Sequence, residues 1–350
     1  MNALWNDSDM KENGSRGPAT ISDVAQHAGV SRATVSYALT QPERLSSAML
    51  VRVTAAIDEL GYVRNNVARQ LRVGRSQALG FIVSNAANPF FTELALGAEE
   101  EAARRGYYIL VANAHEELER ERDYVAFFES QQVSGVLIAP IGEVPGELLD
   151  LRERGTPFVL VGVPPTPQDY PSISGDNVIG GYLAASHLID QGRRNLLFAG
   201  GSHHNVDSRR EGARKAMAEA GGNVHMEFVD VEHQTAGAGE RVARDLLARG
   251  PGGLPDGIFA GNDLIALGIL HVLINGGVRV PEDISLIGYD DIEFAEFAIV
   301  PLSSIRHPSR IVGASAVRLL LGDNGDELQG IDPRFAPELV IRGSSLPTGS

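Results

Sequence analysis

The fold of this chain is decided by Thr20-Ile-Ser-Asp-Val-Ala-Gln-His-Ala-Gly-Val-Ser-Arg-Ala-Thr-Val-Ser-Tyr-Ala-Leu39, in which two short helical patterns flank Gly29. Before Gly29, apolar residues recur at i, i+3, i+4 and i+7, as on one helix face. Thr20 followed by Asp23 is a capping-box pattern, and Gly29 suits the positive φ that ends a helix. Ser31 offers the N-cap of a second helix. Two helices joined by a short glycine-containing turn predict a helix-turn-helix, whose second helix enters the DNA major groove.

The same spacing also fits two helices of an ordinary α-helical bundle, so the following residues matter. Ser46 can cap a third helix that runs to about Leu60, with its apolar residues on one stripe, and Gly61 ends it. A shorter, basic helical pattern at 65–76 has a narrow apolar strip. It is too short to be stable alone and should order only against a partner; a plain linker is the alternative.

The charge is unevenly distributed along the 350 residues. The whole chain carries a formal net charge of −15, which by itself argues against a nucleic-acid partner. Residues 19–76, however, hold seven arginines against four acidic residues. A small basic head on a large acidic body favours one orientation on DNA, because the head meets the phosphates while the body is repelled.

Composition excludes several other classes of protein. There is no cysteine, so disulfides and thiolate zinc sites are excluded, which fits a reducing cytoplasm. Residues 1–18 are polar, lack the features of a signal peptide, and are interpreted as a disordered tail. The sequence contains no run of about 18 apolar residues, the length that a membrane-spanning helix needs. We therefore expect a cytoplasmic protein with no membrane partner.

From residue 78 onward, short apolar strand patterns alternate with helical patterns, which is typical of a parallel sheet covered on both faces. The alternation of strand and helix patterns begins again near residue 177, so we predict two doubly wound lobes with a cleft between them. The first lobe would comprise about 78–175 plus 306–330, and the second about 177–303. The full division is a tail at 1–18, a helix-turn-helix domain at 19–64, a hinge or linker at 65–77, a body at 78–345 and a tail at 346–350.

Seven stretches together resemble the lactose-repressor/galactose-repressor family of bacterial transcription regulators over about residues 19–345. They are Thr20-Ile-Ser-Asp-Val-Ala with Ala28-Gly-Val-Ser-Arg-Ala-Thr-Val-Ser36, Leu60-Gly-Tyr62, Ala68-Arg-Gln-Leu71, Asn88-Pro-Phe-Phe91, Gly261-Asn-Asp263, Pro281-Glu-Asp-Ile-Ser285 and Gly288-Tyr-Asp-Asp291. The resemblance implies a helix-turn-helix head, a hinge helix, and a two-lobed body similar to periplasmic sugar-binding proteins. The fold class is therefore α plus α/β.

The residues expected to contact DNA lie in the head and the hinge. Arginine can pair with guanine and alanine can meet a thymine methyl, and the resemblance assigns base reading to Arg32, Ala33 and Tyr37. Phosphate contact alone is the alternative for Arg32. Members often carry arginine in place of Tyr37, so the operator sequence does not transfer. The other candidate DNA contacts are Thr20, Ser31, Thr34, Ser36, Asn65, Ala68, Arg69 and Leu71.

Leu71 is an apolar residue on a short basic helix with little core to join. Apolar wedges inserted at a minor-groove base step kink DNA, and the resemblance gives Leu71 this role in paired hinge helices, with Ala68 packed close by. Packing of Leu71 on the body is the alternative. Arg64 stands where members often have proline, so entry into the hinge is expected to be less rigid.

Polar and aromatic residues follow the strands of both lobes, where a cleft ligand would bind. Phe90 or Phe91 can stack on a ligand ring, although Phe91 can also be core. The resemblance assigns ligand contacts to the positions of Arg209, Asn262 and Asp290, which supply donors and acceptors for hydroxyl groups or a base edge. Asp263 is interpreted as the N-cap of the following helix, and Asp291 as a supporting or loop charge. The remaining candidate is His233, where members often carry an aromatic ring.

We therefore expect a homodimeric DNA-binding transcriptional regulator, a repressor, controlled by a small ligand between two lobes. A sugar or sugar derivative is favoured, and a nucleobase or other metabolite is the alternative. Two-fold symmetry predicts a pseudo-palindromic operator on double-stranded DNA. We expect no cofactor, no metal and no catalytic residue, since neither a phosphate-binding loop nor a nucleophile motif occurs. A solute-binding module without DNA function is less favoured, because it predicts no head.

Overall fold

The structure is a computed structural model that describes residues 19–62, 76–142, 144, 146–164, 170–201, 204–322 and 335–346. The chain divides into two compact units, whose described parts are residues 19–62 and residues 76–346. We call the first the head and the second the body. None of the helices described here is long and apolar enough to cross a membrane.

The head consists of three helices around a small apolar core. They are α1 (Ile21–His27), α2 (Arg32–Thr40) and α3 (Ser47–Leu60), with a 3₁₀ turn at Pro42–Arg44. The core includes Val24, Val35 and Val53, each without solvent exposure.

The three helices of the head begin where the sequence predicts, and the first and third end at the predicted glycines. Thr20 and Asp23 form a reciprocal capping box, and Ser31 and Ser46 accept hydrogen bonds as N-caps of the next two helices. Gly29 and Gly61 have φ of 63° and 57°. The helix-turn-helix and its third helix are therefore confirmed.

The body contains two parallel sheets. The five-stranded sheet has the order β2-β1-β3-β4-β5 and the four-stranded sheet the order β7-β6-β8-β9. The strands are β1 (Ala78–Val83), β2 (Tyr108–Asn113), β3 (Val136–Ile138), β4 (Phe158–Val161), β5 (Ser172–Ile173), β6 (Asn195–Gly200), β7 (His225–Asp230), β8 (Gly257–Ala260) and β9 (Ser285–Ile287). An antiparallel pair, β10 (Ser304–Arg306) and β11 (Glu338–Val340), completes the sheets.

Helices cover these sheets and continue the alternation that the sequence predicts. They are α4 (Pro89–Arg104), α5 (Leu118–Ser130), α6 (Gly146–Glu153), α7 (Asn177–Asp190), α8 (His204–Glu219), α9 (Ala236–Ala248), α10 (Asp263–Asn275), α11 (Glu293–Glu296) and α12 (Ser309–Leu320). The body is thus two doubly wound α/β lobes, one around each sheet, and the predicted fold class is confirmed. The hinge helix of that prediction lies outside the described residues.

Helix α12 packs on the first lobe although it follows the second lobe in sequence. Its Val312 and Ala316 join a core with Leu79 and Phe81 of β1. A Cβ placed on Gly97 would lie 2.0 Å from the backbone oxygen of Arg310, so this glycine allows α4 and α12 to approach closely. The chain therefore crosses between the lobes more than once, which brings residues distant in sequence to the space between them.

Three helices of the second lobe begin earlier than the sequence predicts. The helical patterns in the sequence cover 180–191, 208–220 and 239–249, so their predicted starts, Gly180, Ser208 and Gly239, lie three or four residues inside α7, α8 and α9. A Cβ on Gly239 would meet the backbone oxygen of Ile265 at 2.0 Å, so the glycine serves close helix packing rather than a helix end. Thr235 caps α9 instead, by accepting a hydrogen bond from the backbone of Ala238.

Candidate DNA-reading surface and ligand cleft

The start of α2 forms an exposed surface of the head. A surface groove there is lined by Ile21, Arg32, Ala33, Ser36 and Tyr37. Three of these are the predicted base-reading residues, which share one face because they lie near the start of one helix. The structure therefore brings the predicted major-groove residues together.

Two side chains of this surface have partners within the head. The Nη1 of Arg32 lies 3.4 Å from the hydroxyl of Ser22, and the guanidinium of Arg44 lies 5.6 Å from the ring centroid of Tyr37. Tyr37 remains 42% exposed. These contacts hold both side chains near the groove and leave their polar ends accessible.

The other candidate DNA contacts of the head make local hydrogen bonds within it. Thr20 caps α1, and the Ser31 hydroxyl caps α2 and lies 2.9 Å from the hydroxyl of Thr34. Asn65, Ala68, Arg69 and Leu71 lie outside the described residues, so the hinge contacts with DNA stay predictions.

Between the two lobes of the body lies a cleft, whose residues come from both sheets and from the crossing segments. Its lining includes Ser84, Phe90, Phe91, Ala139, Pro140, Asn177, Asn205, Arg209, Gln234, His307 and Ser309. The phenylalanine pair, Phe90 and Phe91, meets edge to face with centroids 5.2 Å apart. The cleft thus has an aromatic wall on the first lobe and polar groups from the second.

Arg209 is the centre of the polar part of the cleft. Its side chain is 4% exposed, and its Nε donates to Oδ1 of Asn177 over 3.0 Å. Its Nη1 donates to the backbone oxygen of Gly261, and its Nη2 lies 3.5 Å from Oδ1 of Asp290. The guanidinium also stacks on Tyr289, 3.5 Å from the ring centroid. These partners fix the direction of the buried cation.

Asp290 is held by both lobes. Its Oδ2 accepts a hydrogen bond of 3.0 Å from Asn88 of the first lobe, whereas its Oδ1 is buried without a hydrogen-bond partner among the described residues. Burial raises the pKa of Asp290 to about 6, although the charge of Arg209 and the Asn88 hydrogen bond both oppose the rise. The backbone of Asp290 has φ of 103°, a conformation that is unusual outside glycine.

His307 and Tyr289 complete the buried network. The imidazole Nε2 of His307 lies 2.8 Å from the Tyr289 hydroxyl, which donates to Asn177 over 3.2 Å. Burial, together with the nearby Arg209 charge, lowers the pKa of His307 to about 3, so its ring is neutral at physiological pH. Burial also raises the pKa of Tyr289. The two rings can therefore exchange hydrogen bonds without adding charge.

The role predicted for Asp263 is wrong. Asn262, rather than Asp263, caps α10: its Oδ1 accepts from the backbone N of Ile265 over 2.9 Å. Asp263 is fully buried, and its carboxyl accepts from the Ile292 backbone and the Ser304 hydroxyl. Burial and the nearby Asp290 charge raise its pKa well above the usual range. Adjacent polar residues both suit a cap, and only the tertiary partners of Asp263 distinguish them.

Asn262 and His233 lie beside the cleft lining rather than in it. The Nδ2 of Asn262 donates to the backbone oxygen of Gln234 over 3.2 Å, so its amide supports a lining residue. The His233 side chain is 44% exposed, and its Nδ1 lies 3.5 Å from Glu116 of the first lobe. Asp291 pairs with Arg306 and Arg342 at 2.7 and 2.6 Å, as expected of a supporting charge.

Several polar lining residues are not among the candidates drawn from the sequence, and they include Asn177, Gln234 and His307. Asn177 lies at the lobe crossover, and His307 follows β10 where the chain returns to the first lobe. Gln234 follows His233 directly, so the neighbouring position was singled out. Gln234 and His307 each follow a strand, but many loop residues do so as well. This position therefore does not distinguish them in the sequence.

Metal ligation finds no support among the described side chains, where no group of three histidine, aspartate or glutamate residues could hold an ion. Of the adjacent histidines His203 and His204, which together could suggest a metal site, His203 lies outside the described residues. His204 is one of the residues that line the cleft.

Together, a helix-turn-helix head and a two-lobed α/β body with a buried polar cleft define a ligand-binding transcription regulator. Sequence profiles agree: the family described as "Bacterial regulatory proteins, lacI family" matches residues 20–65, and "Periplasmic binding protein-like domain" matches residues 185–345. The HTH-type transcriptional repressor PurR of Photobacterium profundum is 34% identical over 335 residues, which cover 93% of this chain and 98% of that protein. The chain belongs to the lacI family of bacterial regulatory proteins and is a DNA-binding transcriptional repressor, not an enzyme.

Other relatives are similar in sequence or fold. The ribose operon repressor of Bacillus subtilis is 36% identical over 307 residues, covering 87% of this chain and 91% of that protein. The lac repressor dimer bound to operator and the anti-inducer ONPF has a TM-score of 0.80 at 28% identity, covering 94% and 100% of the two chains. A lacI-family regulator from Enterococcus faecium with bound ribose has a TM-score of 0.68 at 25% identity, covering 77% and 99%.

Proposed function

We propose that the operator affinity of this repressor is controlled by an uncharged, hydroxyl-rich ligand, a sugar or sugar derivative, bound between the two lobes. The observation that carries the proposal is a pair of buried acceptors, Oε1 of the lining residue Gln234 and Oδ1 of Asp290 beside the lining. Neither has a hydrogen-bond partner among the described residues, although Oδ1 of Asp290 lies 3.5 Å from the Arg209 guanidinium. Buried polar atoms in native proteins are nearly always satisfied, so a ligand with donor groups fits here. Sugar hydroxyls are such donors.

The charge of the cleft favours a neutral ligand. Arg209 is the one guanidinium or ammonium group among the described lining residues, and Asp290 lies 3.5 Å from it. The adjacent His307 is neutral because burial lowers its pKa. A phosphorylated ligand would bring negative charge without a cation left to balance it, which is costly in a buried site.

Shape and relatives support the same class of ligand. The aromatic wall of Phe90 and Phe91 offers an apolar face to a ring, and such a face beside a few polar groups is usual in small-molecule sites. A relative of this fold was solved with bound ribose. A nucleobase is the second candidate, because a flat ring can stack on phenylalanine and the PurR relatives match over nearly their whole length.

A thermal-shift screen of the full chain tests the ligand class. Pentoses, hexoses and disaccharides form one arm, the corresponding sugar phosphates a second, and nucleobases a third. A neutral sugar should raise the melting temperature, because a ligand that binds only the folded state stabilises it by mass action. Stabilisation by a nucleobase alone would replace the sugar, and stabilisation by a sugar phosphate alone would refute the charge argument.

We further propose that Arg32, Ala33 and Tyr37 read bases in the major groove, with Thr20, Ser31, Thr34 and Ser36 at the phosphates. Their support is the shared exposed groove at the start of α2. Mobility-shift assays on the protein's own upstream region, at several salt concentrations and with competitor DNA, test this. Specific retention that changes with the ligand found above is expected. Retention that disappears equally on any DNA at moderate salt would contradict sequence-specific reading.

Homodimerisation is also proposed, from exposed apolar side chains on the body. Edge strand β2 exposes Tyr108 and Val111 by 70% and 53%, and Phe297 and Ile299 beside α11 are 74% and 77% exposed. A contiguous exposed apolar patch marks an interaction surface, and these side chains are the candidates for one on each lobe. The similar lac repressor structure is a dimer on operator. Sedimentation equilibrium should give a dimer, and Phe297→Asp should weaken it; a monomer throughout would oppose the proposal.

A further inference from the structure

Glu116 joins the two lobes at a point outside the ligand contacts proposed above. It lies in the loop between β2 and α5 of the first lobe, and its side chain is 4% exposed. Its Oε2 accepts a 3.0 Å hydrogen bond from the backbone N of Gln234 in the second lobe. Its Oε1 accepts a 2.8 Å hydrogen bond from Nδ2 of Asn85, within the first lobe. Each carboxylate oxygen thus accepts one hydrogen bond, Oε1 from the first lobe and Oε2 from the second, and Oε2 also lies 3.5 Å from Nδ1 of His233.

The loop presents Glu116 to the other lobe through an unusual backbone. His115 and Glu116 have φ of 56° and 61°, consecutive left-handed conformations that are uncommon outside glycine. The backbone N of Glu116 donates to Ser84 over 2.7 Å, and that of His115 to Oδ1 of Asn113 over 3.1 Å. The ends of β1 and β2 therefore support this backbone and direct the carboxylate across the cleft.

On the second lobe, Gln234 receives support from two sides. Its backbone N donates to Glu116, and its backbone oxygen accepts from Nδ2 of Asn262 over 3.2 Å. Its side chain lines the cleft, and its Oε1 is buried with no hydrogen-bond partner in the part of the chain that the structure describes. Glu116 therefore fixes the backbone that carries one of the two free acceptors, although Glu116 does not line the cleft itself.

We propose that Glu116 is a positioning residue that couples ligand binding to closure of the lobes, by holding the Gln234 backbone against the first lobe. The proposal rests on the proposed function for its ligand, whereas the closure contact exists within the protein itself. When the lobes separate, the Glu116–Gln234 hydrogen bond breaks and the Gln234 acceptor leaves the cleft. Ligand and Glu116 thus favour the same closed arrangement, which is a coupling between two contacts.

The difference in hydrogen bonding between a carboxylate and an amide provides a test of the role of Glu116. A carboxylate accepts at both oxygens, whereas an amide accepts at one end and donates at the other. In Glu116→Gln, the amide NH₂ must therefore face a donor, either Asn85 or the Gln234 backbone. Adding Asn85→Asp provides an acceptor for that NH₂, so the double variant Glu116→Gln/Asn85→Asp can again accept from the Gln234 backbone. A purely steric role of Glu116 predicts no such rescue.

Distances between the lobes can be measured directly in the full chain, because the sequence contains no cysteine. Ala126→Cys on α5 and Ala248→Cys on α9 place one spin label on an exposed position of each lobe. Double electron–electron resonance without any ligand should show a short-distance population. Glu116→Gln should reduce that population in favour of longer distances, and the double variant should restore it. The surface variant Glu117→Gln, whose partner is Arg120 in the same helix region, is the matched control and should change nothing.

Identical distance distributions for wild type and Glu116→Gln would overturn the proposal, as would a Glu116→Gln shift that the double variant fails to reverse in a folded protein. D-ribose serves as the ligand probe: Glu116→Gln should weaken its binding about tenfold, roughly one hydrogen bond's worth, and the double variant should recover it. Absence of D-ribose binding to wild type counts against ribose in the proposed function, and the distance measurement still decides the role of Glu116.

Discussion

The polar contacts of the head and of the cleft differ in how far along the sequence they reach. In the head, the caps at Thr20, Ser31 and Ser46 bond to residues three positions away, at exposed sites. In the cleft, Asn88 bonds to Asp290 across 202 positions, and both are buried. Exposed local contacts lose little when broken because water replaces them, whereas a buried group left without its partner is costly. Substitutions should therefore be mild in the head and severe in the cleft.

Arg209→Ala should give the largest effect. It removes the buried cation that pairs with the Asp290 carboxylate and one of the two donors to the Asn177 amide oxygen, which should lower the free energy of unfolding by about 3 to 5 kcal/mol. Ligand affinity should fall at least about 100-fold, since two or more charge-assisted contacts are lost. Operator affinity without ligand should persist. Urea unfolding followed by circular dichroism, titration calorimetry and mobility shifts measure the three quantities.

Arg210→Ala is the matched control for that experiment. Arg210 is the next residue of α8, is 9% exposed and donates to the backbone of Gly200 over 2.9 Å, but it does not line the cleft. It should lose stability while its operator binding still responds to ligand. A ligand response retained in Arg209→Ala would remove Arg209 from the site.

Glu121→Gln should show the next largest effect, in the dependence of stability on pH. Glu121 is fully buried in α5, and its Oε2 accepts from the backbone N of Ile141 over 2.9 Å, just beyond the cleft residues Ala139 and Pro140. Burial raises its pKa to about 7 from 4.5. The folded state therefore favours the protonated form, and this contribution is full below pH 4.5 and lost as the pH rises to about 7.

The glutamine variant lacks this titration. Between pH 4.5 and 7 its unfolding free energy should rise relative to wild type by about 3 kcal/mol, the equivalent of the raised pKa. Denaturant unfolding at a series of pH values measures the difference. Glu129→Gln, which removes a carboxylate of the same helix that pairs with Arg154 at the surface, should follow the wild-type curve. Parallel curves for Glu121→Gln and wild type would show that burial does not control this carboxyl.

The same contrast explains what could be predicted from the sequence. Caps, helix-ending glycines and apolar stripes act within a few residues, so the head was predicted to its helix ends. The alternation of strands and helices is also local, and it predicted both lobes. Arg209 and Asp290 were singled out through the resemblance, and the structure brings them to 3.5 Å from one another.

What the sequence left open depends on contacts between distant segments. Gln234 becomes a cleft residue only because Glu116 and Asn262 hold its backbone, at separations of 118 and 28 positions. Asp263 and Asn262 both suit a helix cap on local grounds. The buried partners of Asp263, Ser304 and the Ile292 backbone, give it another role, so local cap chemistry predicted the wrong residue. The early start of α9 was hidden by Gly239, which allows close packing on a neighbouring helix.

Arg32→Ala should weaken specific operator binding by about 1 to 3 kcal/mol, roughly 10- to 100-fold, if Arg32 pairs with a base. Its head is expected to stay folded, because Arg32 is exposed and its contact with Ser22 is long at 3.4 Å. Fluorescence anisotropy on operator and scrambled DNA measures specific and non-specific affinity. Arg52→Ala removes the same charge from exposed α3 and is the control. Equal losses of affinity for operator and scrambled DNA would indicate that Arg32 contacts a phosphate rather than a base.

Ligand binding should also weaken in acid, through Asp290. Its pKa is raised to about 6, so the carboxylate that we propose accepts from the ligand is protonated below that pH. Affinity should therefore fall about tenfold for each pH unit below 6 and stay level above it. His307 stays neutral over this window, since its pKa is lowered to about 3. Calorimetry from pH 5 to 8 with the sugar identified by the screen measures the curve.

Asp290→Asn should flatten that curve at a lower overall affinity. Asp291→Asn should keep it, because the neighbouring carboxylate pairs with Arg306 and Arg342 rather than facing the cleft. An acid loss that persists in Asp290→Asn would assign the titration to another group.

The smallest effects should come from the caps of the head. Ser31→Ala and Ser46→Ala each remove a hydroxyl that accepts from the third residue of a helix, α2 and α3 respectively, and each should cost about 1 kcal/mol. Amide hydrogen exchange of the full chain should show faster exchange in the first turn of the affected helix alone, because the contacts are local. If Ser31 also meets a phosphate, only Ser31→Ala should weaken DNA binding further, and on all sequences equally. Equal DNA affinities in the two variants would leave Ser31 as a helix cap alone, and exchange that spreads into all three helices would refute the locality on which the contrast with the cleft depends.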